Sequence, residues 1–374
     1  MEQGNTNKFA SGRRRLVTAL TGILAGIAML AGGESRSADP PTPGFDKIRL
    51  IFTSQVILPN DAVPSFAVPE KLGFFKDERL DVTWTTSDGS SAGILAVASG
   101  GGEVTSASAV SSLPAIAKGL KVKTFAGLVV NWPYFIAVPP DSKIRSVNDL
   151  VGRKVGIISL ASASYTFAQT SIKLAGLDPL SVQYIPVGDG PTASTALQSG
   201  QVDALALYTG SYQAMESVGV KLRYLANAPY FDNLFSTSWL AKASDLESKP
   251  ELFARFVRAV NKALLFSAAN PEAAMKMGYE IFPSHMSPKN LAADTETLKT
   301  WLRTATPTTG TPASWNSYQW GELKVSRWDV MQEFLIRGGV IKEKLLIDQI
   351  WFGALVPEIN KFDRAAILKL AASR

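Results

Sequence analysis

The chain of 374 residues contains no cysteine. That excludes disulfides, thiolate nucleophiles, thiolate metal ligands and lipid attachment at a signal-peptide cysteine. Histidine is nearly absent: His285 stands alone, between Pro283 and Pro288. A surface loop accounts for it more simply than a catalytic base, because no acidic orienter or nucleophile stands at a recognisable spacing. No Ser-centred elbow, phosphate loop or metal-ligand cluster is visible. The sequence therefore names no catalytic residue, no metal ligand and no cofactor site. Charge is scarce as well, at 19% of residues with a net +6. In residues 1–37, Lys8, Arg13, Arg14, Arg15 and Arg36 outweigh Glu2 and Glu34 by three, which leaves +3 on the rest. No basic stripe with interleaved aromatics follows, so nucleic acid is not an expected partner. Past residue 31 there is no apolar run of about 18 residues, the length a membrane helix needs.

What is present is a chain able to bury a core. It is 46% hydrophobic and long enough for two domains of ordinary size. Arg13-Arg14-Arg15 precedes the apolar run 16–31, and small residues follow. This is the pattern of a secretory signal peptide, expected over residues 1–37 with cleavage after Gly33 or after Ser37. Paired arginines before Leu16 admit a twin-arginine signal beside the general secretory one.

Asp39-Pro40-Pro41-Thr42-Pro43-Gly44 reads as an extended linker. Beyond it, alternating Ile48, Leu50 and Phe52 predict a first strand. A short helix is expected over 66–72, a strand over 80–84, a helix over 93–98, a strand over 103–108, a helix to 118 and a strand over 122–128. A second series opens with strand 134–138 and continues through strand 154–158, helix 163–175, strand 182–187, helix 192–198, strand 204–207, helix 212–218 and strand 222–225. Strand 235–240 follows, and from Pro250 onward the pattern is almost wholly helical. Strand and helix alternate at βαβ spacing, so the expected class is α/β with parallel sheets. Two series imply two lobes: lobe two over 134–230, and lobe one built from 45–133 and 231–374, with crossovers near Pro133 and Pro229. Ligands of open α/β sheets bind beyond the carboxyl ends of strands, so the cleft between the lobes is the expected site.

One stretch stands out, residues 154–176. Val155, Ile157 and Ile158 predict a short buried strand, Ser159, Ser162 and Ser164 crowd a turn, and a helix runs to Gly176. Strand, Ser-rich turn and helix put free N–H groups and hydroxyls at one helix N-terminus, a cradle for an anionic or strongly polar group. The alternative is that Ser162 or Ser164 simply caps the helix.

Several segments carry a family resemblance. They are Gly73-Phe74-Phe75-Lys76-Asp77-Glu78, Leu80-Asp81-Val82, Ala98-Ser99-Gly100, the run Ser146-Val147-Asn148-Asp149-Leu150-Val151-Gly152-Arg153-Lys154-Val155-Gly156, Ala175-Gly176-Leu177-Asp178-Pro179, and Ser199-Gly200-Gln201-Val202-Asp203-Ala204. In this order and spacing the sequence resembles the periplasmic binding proteins of ABC importers for nitrate, sulfonates, taurine and thiamine-pyrimidine precursors. The resemblance implies a two-lobed, type II-like periplasmic-binding-protein fold with parallel-rich sheets and a helical C-terminal tail. It implies a monomer in the periplasm that closes on a small molecule and delivers it to an inner-membrane ABC permease with a cytoplasmic ATPase. Carried over position by position, the ligand-facing residues are Ser54 and Gln55; Ser106, Ala107 and Ser108; Ser162, Ala163 and Ser164; and Tyr208 and Thr209. Many relatives have Trp, then Asp or Glu, then Pro where this chain has Tyr208-Thr209-Gly210, which argues against taurine-like zwitterions. Trp132 and Tyr208 are candidate aromatic walls, with Trp132 as plain core the alternative. Asp189-Gly190-Pro191 is a turn signal first and a cleft carboxylate second. The expected ligand is a small organic molecule, aromatic or anionic. The same cleft would serve a secreted ligand-sensing module. Enzymes of the related fold, a fungal pyrimidine-precursor synthase and an aryl sulfinate desulfinase, depend on cysteine, so binding without turnover is expected. N-terminal sequencing of the exported protein is expected to start between Glu34 and Asp39; an intact Met1 in the periplasmic fraction would rule out cleavage.

Overall fold

The computed structural model describes residues 44–227 and 229–374; the signal-peptide expectation lies outside them. Among the described residues ten strands form two five-stranded sheets. The first contains β1 (Asp46–Phe52), β2 (Leu80–Thr86), β3 (Val104–Ser108), β4 (Val122–Gly127) and, from far along the chain, β10 (Thr237–Lys242). The second contains β5 (Tyr134–Val138), β6 (Lys154–Ile157), β7 (Gln183–Pro186), β8 (Ala204–Tyr208) and β9 (Arg223–Tyr224). Their orders are β2-β1-β3-β10-β4 and β7-β6-β8-β5-β9.

Both sheets follow one plan. β1 pairs parallel with β2 and β3, and β6 pairs parallel with β7 and β8. In each sheet one strand runs against its neighbours: β10 is antiparallel to β3 and β4, and β5 to β8 and β9. The sheets are thus mixed, not wholly parallel. β5 enters the second sheet directly from the first, and β10 returns to the first sheet after the second is complete. A strand arriving from the other sheet comes in over the carboxyl edge and must run backwards from it.

The helices of eight residues or more are α1 (Gly89–Ser99), α2 (Ala109–Ala117), α3 (Ala163–Leu174), α4 (Pro191–Gln198), α5 (Thr209–Ser217), α6 (Pro250–Ala269), α7 (Pro271–Ile281), α8 (Leu291–Ala305), α9 (Val325–Arg337) and α10 (Arg364–Ala372). β2, at an edge, alternates buried and part-exposed residues, while central β3 is buried throughout. α6 opens with Pro250 and turns Phe253, Phe256, Val257, Val260 and Leu264 onto the first sheet. Phe256 stacks on Phe75 and meets Trp239 edge-on at 5.0 Å. On the second sheet α3 covers one face, and α4 with α5 the other.

The tail does not stay with one sheet. Trp328, Met331, Phe334 and Leu335 of α9 pack into the core of the second sheet with Phe167 and Ile172. From the same helix Arg327 donates to the carbonyl oxygens of Val130 (2.5 Å) and Leu234 (2.7 Å), one on each crossover, and lies over the Phe235 ring at 5.7 Å. One guanidinium therefore ties both connections between the sheets. Arg327→Met leaves two buried carbonyls without a donor, and equilibrium denaturation is expected to record a loss of about 1–3 kcal/mol. An unchanged unfolding midpoint would mean that the tie contributes nothing.

Candidate functional site

A cleft of about 800 Å³, its open mouth included, lies along the carboxyl edges of the two sheets. The strand register builds it. Tyr208, last in β8, pairs with Tyr134, first in β5. Ser108, last in β3, pairs with Thr237, first in β10. Each crossing strand begins where a parallel strand ends, so both crossovers and both carboxyl edges converge on one space.

From the first sheet the lining takes the segment after β1, with Phe52, Ser54, Asn60 and Asp61, and the start of α1 at Gly89 and Ser90. The segment folds back on itself because Ser54 Oγ donates to Val56 O and accepts from Val56 N–H. The helix at 63–71 then begins directly behind Asp61. From the second sheet come Ile158, Ser162, Ala163, Asp189 and Tyr208. Asp189 sits between Gly188 and Gly190, both at positive φ (74° and 54°), a turn that L side chains rarely adopt. Trp301 and Thr304 of α8 close one side; α8 is moored there by Thr300 Oγ1 donating to Gln213 Oε1 and by Asn131 Nδ2 donating to Arg303 O.

The two sides touch. Ser91 N–H donates to Ala161 O at 3.1 Å. At Gly89 (φ +84°) a Cβ would lie 2.8 Å from Ser162 Cα, so only glycine permits this approach. A hydrogen-bond relay also spans the cleft: Asn60 Nδ2 donates to Tyr208 Oη (3.1 Å), and Tyr208 Oη donates to Asp189 Oδ2 (2.8 Å). Asp189 Oδ1 accepts from Gly190 N–H at 2.8 Å.

Among the described residues no lysine, arginine or histidine lines the cleft; its ionisable groups there are Asp61, Asp189, Tyr134 and Tyr208. Burial raises the pKa of Asp61 to about 6, against the opposing bonds from its own and Ala62's N–H, with the Asp189 charge pushing further upward. Burial raises Asp189 too, opposed by Ser211, Tyr208 and Gly190. The Tyr208 hydroxyl is driven well above its ordinary range by burial and then by the Asp189 charge. Burial lifts Tyr134 to about 12, against hydrogen bonds with Ser236 and Ser108. Rings of Phe52, Tyr134, Tyr208 and Trp301 supply apolar walls.

The NMT1/THI5-like family model matches residues 63–274, more than half of the chain. The chain belongs to that family. A relative at 25% identity over 253 residues, the riboflavin-binding protein RibY of Chloroflexus aurantiacus, is matched over 67% of this chain and 69% of its own. The alkanesulfonate-binding protein SsuA of Xanthomonas axonopodis pv. citri, solved with MOPS bound, superposes with a TM-score of 0.61 at 18% identity over 84% of this chain and 100% of its own. The desulfurization enzyme DszB, solved as a mutant with biphenyl-2-sulfinic acid, superposes at 0.52 and 14% identity over 84% and 99%. The fold of this NMT1/THI5-like chain is that of the periplasmic binding proteins.

Of the residues expected to face a ligand, Ser54, Ser162, Ala163 and Tyr208 line the cleft. The others stand elsewhere. Gln55 is exposed to solvent. Ala107 is in the core between the first sheet and α1. Ser106 is buried in β3, its carbonyl taken by Thr53 Oγ1. Ser108 lies beneath Tyr134 and bonds its hydroxyl. Thr209 opens α5, its N–H on Pro133 O. Trp132 packs among Tyr134, Phe167, Phe231 and Phe334, ring to ring at 5.3–5.9 Å, behind the wall that Tyr134 presents. In the serine turn, Ser162 Oγ donates to Ser159 O (2.6 Å) and lies 2.8 Å from Ser164 Oγ, which accepts from Ile158 N–H. Neither hydroxyl caps α3; they hold the turn closed. The anionic end expected there meets two aspartates and no basic side chain. Asn60, Asp61, Trp301 and Thr304 were not legible: Pro59-Asn60-Asp61 reads as a turn, and Trp301 as one more core ring of a tail helix.

Asp61 stays protonated in the folded chain over a range where the unfolded chain has already ionised. Its contribution to stability is complete below about pH 4 and is lost as pH rises through about 6. Denaturation from pH 4 to pH 7 is expected to record a loss on the order of 2–3 kcal/mol from this group, and Asp61→Asn to flatten the slope. A variant as pH-sensitive as its parent would place the effect elsewhere.

Proposed function

We propose that this protein is the solute-binding component of an ABC importer. It captures a small organic molecule with an aromatic body in the cleft and delivers it, unchanged, to an inner-membrane permease driven by a cytoplasmic ATPase. The observation that carries this reading is the convergence of both carboxyl edges and both crossovers on one ring-walled space. A lobe of 134–230 moving against one of 45–133 and 231–374 is the expected division, but α9 packs in the core of the second sheet. The second sheet with α9 on it moves against the first, bending at the two crossovers and at the connections to α9, and so opens and shuts that space. The contact of Gly89 with Ser162 is the shut position. Binding without turnover is supported by the absence of cysteine, since the alternative catalysts of this fold work through a thiolate. Among the described residues no helix is long and apolar enough to cross a membrane, which suits a protein that is exported to the periplasm and works there as a monomer.

The test is a thermal-shift panel of aromatic amines, heterocycles, aromatic acids and sulfonates against the chain from residue 45, followed by small-angle scattering. A ligand at a hundredfold excess over its dissociation constant is expected to stabilise the fold by about 2.7 kcal/mol. Its scattering curve should match the shut form, and the free protein should be more extended. Mass spectrometry should return the ligand intact. Conversion of the ligand that vanishes on mutating a cleft residue would overturn the reading.

A further inference from the structure

We propose that the cleft selects a nitrogen base: a ligand whose buried end is a cationic or N–H-donating nitrogen group, held between the carboxylates of Asp61 and Asp189, with a flat apolar body against Tyr134 and Trp301. This rests on the solute-binding reading of the same cleft.

The two carboxylates come from opposite sides, Asp61 from the segment after β1 and Asp189 from the turn before α4, and both line the one cleft. Their acceptor capacity exceeds what the protein fills. A carboxylate offers about four lone-pair sites. Asp189 uses one oxygen for Gly190 N–H and the other for Tyr208 Oη, and Ser211 hydrogen-bonds it as well. Asp61 accepts only main-chain N–H groups, its own and Ala62's; among the described residues no side chain donates to it. Thr237, on the same wall, keeps its hydroxyl oxygen buried and without a partner. The lining thus holds unfilled carboxylate acceptors, one hydroxyl able to donate or accept, and, among the described residues, no basic side chain. An anion entering here would meet two acids in a space where charges are poorly screened. A cation relieves the repulsion between them. Asn60 donates to Tyr208 and Tyr208 donates to Asp189, a relay pointing one way that fixes the Asp189 carboxylate for an incoming donor.

The ionisation behaviour agrees. The titratable groups facing Asp61 are Asp189, Tyr208 and Tyr134, and both tyrosines stay neutral through the physiological range. Asp61 titrates at about pH 6, and burial raises Asp189 as well, so any ionisation of it adds in the same direction; a cation that stays charged throughout should bind more tightly at pH 7.5 than at pH 5.

The probes are benzamidine, benzamide and benzoate, which share a ring and differ at one end, and the readout is calorimetric titration of the exported, processed protein. Benzamidine is expected to bind at least tenfold more tightly than benzoate, to gain affinity from pH 5 to pH 7.5, and to lose both the gain and tenfold or more in affinity in Asp61→Asn. The wild-type pH comparison needs no variant and stands if Asp61→Asn does not fold. Benzoate binding as tightly as benzamidine, or a benzamidine affinity indifferent to pH, overturns the proposal. An aromatic acid or sulfonate from the panel that binds and shuts the cleft overturns it while leaving the solute-binding reading intact. A panel with no binder of any class overturns both.

Discussion

Everything about the cleft depends on the chain crossing twice between its sheets. A parallel strand delivers its last residue to the carboxyl edge, and a strand arriving from the other sheet must start there and run backwards. β5 and β10 both do so. Tyr134 is therefore set beside Tyr208, and Thr237 beside Ser108, by register alone. The side chains that line the cleft and the two crossovers are neighbours for the same reason. Arg327 reinforces this by holding one carbonyl of each crossover, so the two connections behave as one element.

The electrostatics of the cleft follow from what surrounds it. Rings and hydroxyls exclude water without supplying countercharge, and the carboxyls of Asp61 and Asp189 resist ionisation as a result. The first sheet handles charge differently on its outer side. There Glu78 is bonded by Arg258 at 2.9 Å and Lys262 at 2.7 Å; burial raises its pKa, but the two cations more than reverse that and hold the carboxyl below its usual range. One acid is paired and structural. Among the described residues the cleft acids have no basic partner.

Periodicity and turn chemistry carried most of the fold. The strands of both series, the helix opened by Pro250 and the Ser-rich turn before Ala163 were readable from local pattern, and each element falls within a few residues of its expected place. What local pattern cannot carry is orientation. Both crossing strands look like any other strand in sequence, so antiparallel pairing was invisible until distant partners were known. Hydroxyls at 162 and 164 suggested a ligand cradle because sequence does not reveal that they bond each other. Trp132 offered a wall and forms a second layer, since only the fold decides which of two adjacent aromatics, Trp132 or Tyr134, reaches the surface of the cleft. Asp61 lacked any signal, because a lone aspartate after Pro59-Asn60 is ordinary turn chemistry. Its surroundings come from three other parts of the chain.

The position of β10 also sets an order of assembly. β3 and β4 are close in sequence but are not neighbours in the sheet, since β10 lies between them and begins more than a hundred residues after β4 ends. The second sheet is contiguous and complete by Tyr224. The first keeps a strand-wide gap until Lys242 has been made, and the tie through Arg327 comes later still. Such distant pairings pay their loop-closure entropy before any contact rewards it, and they slow folding. A growing chain of this design holds its first half open, with both edges of the gap unsatisfied, until nearly two thirds of its length exists.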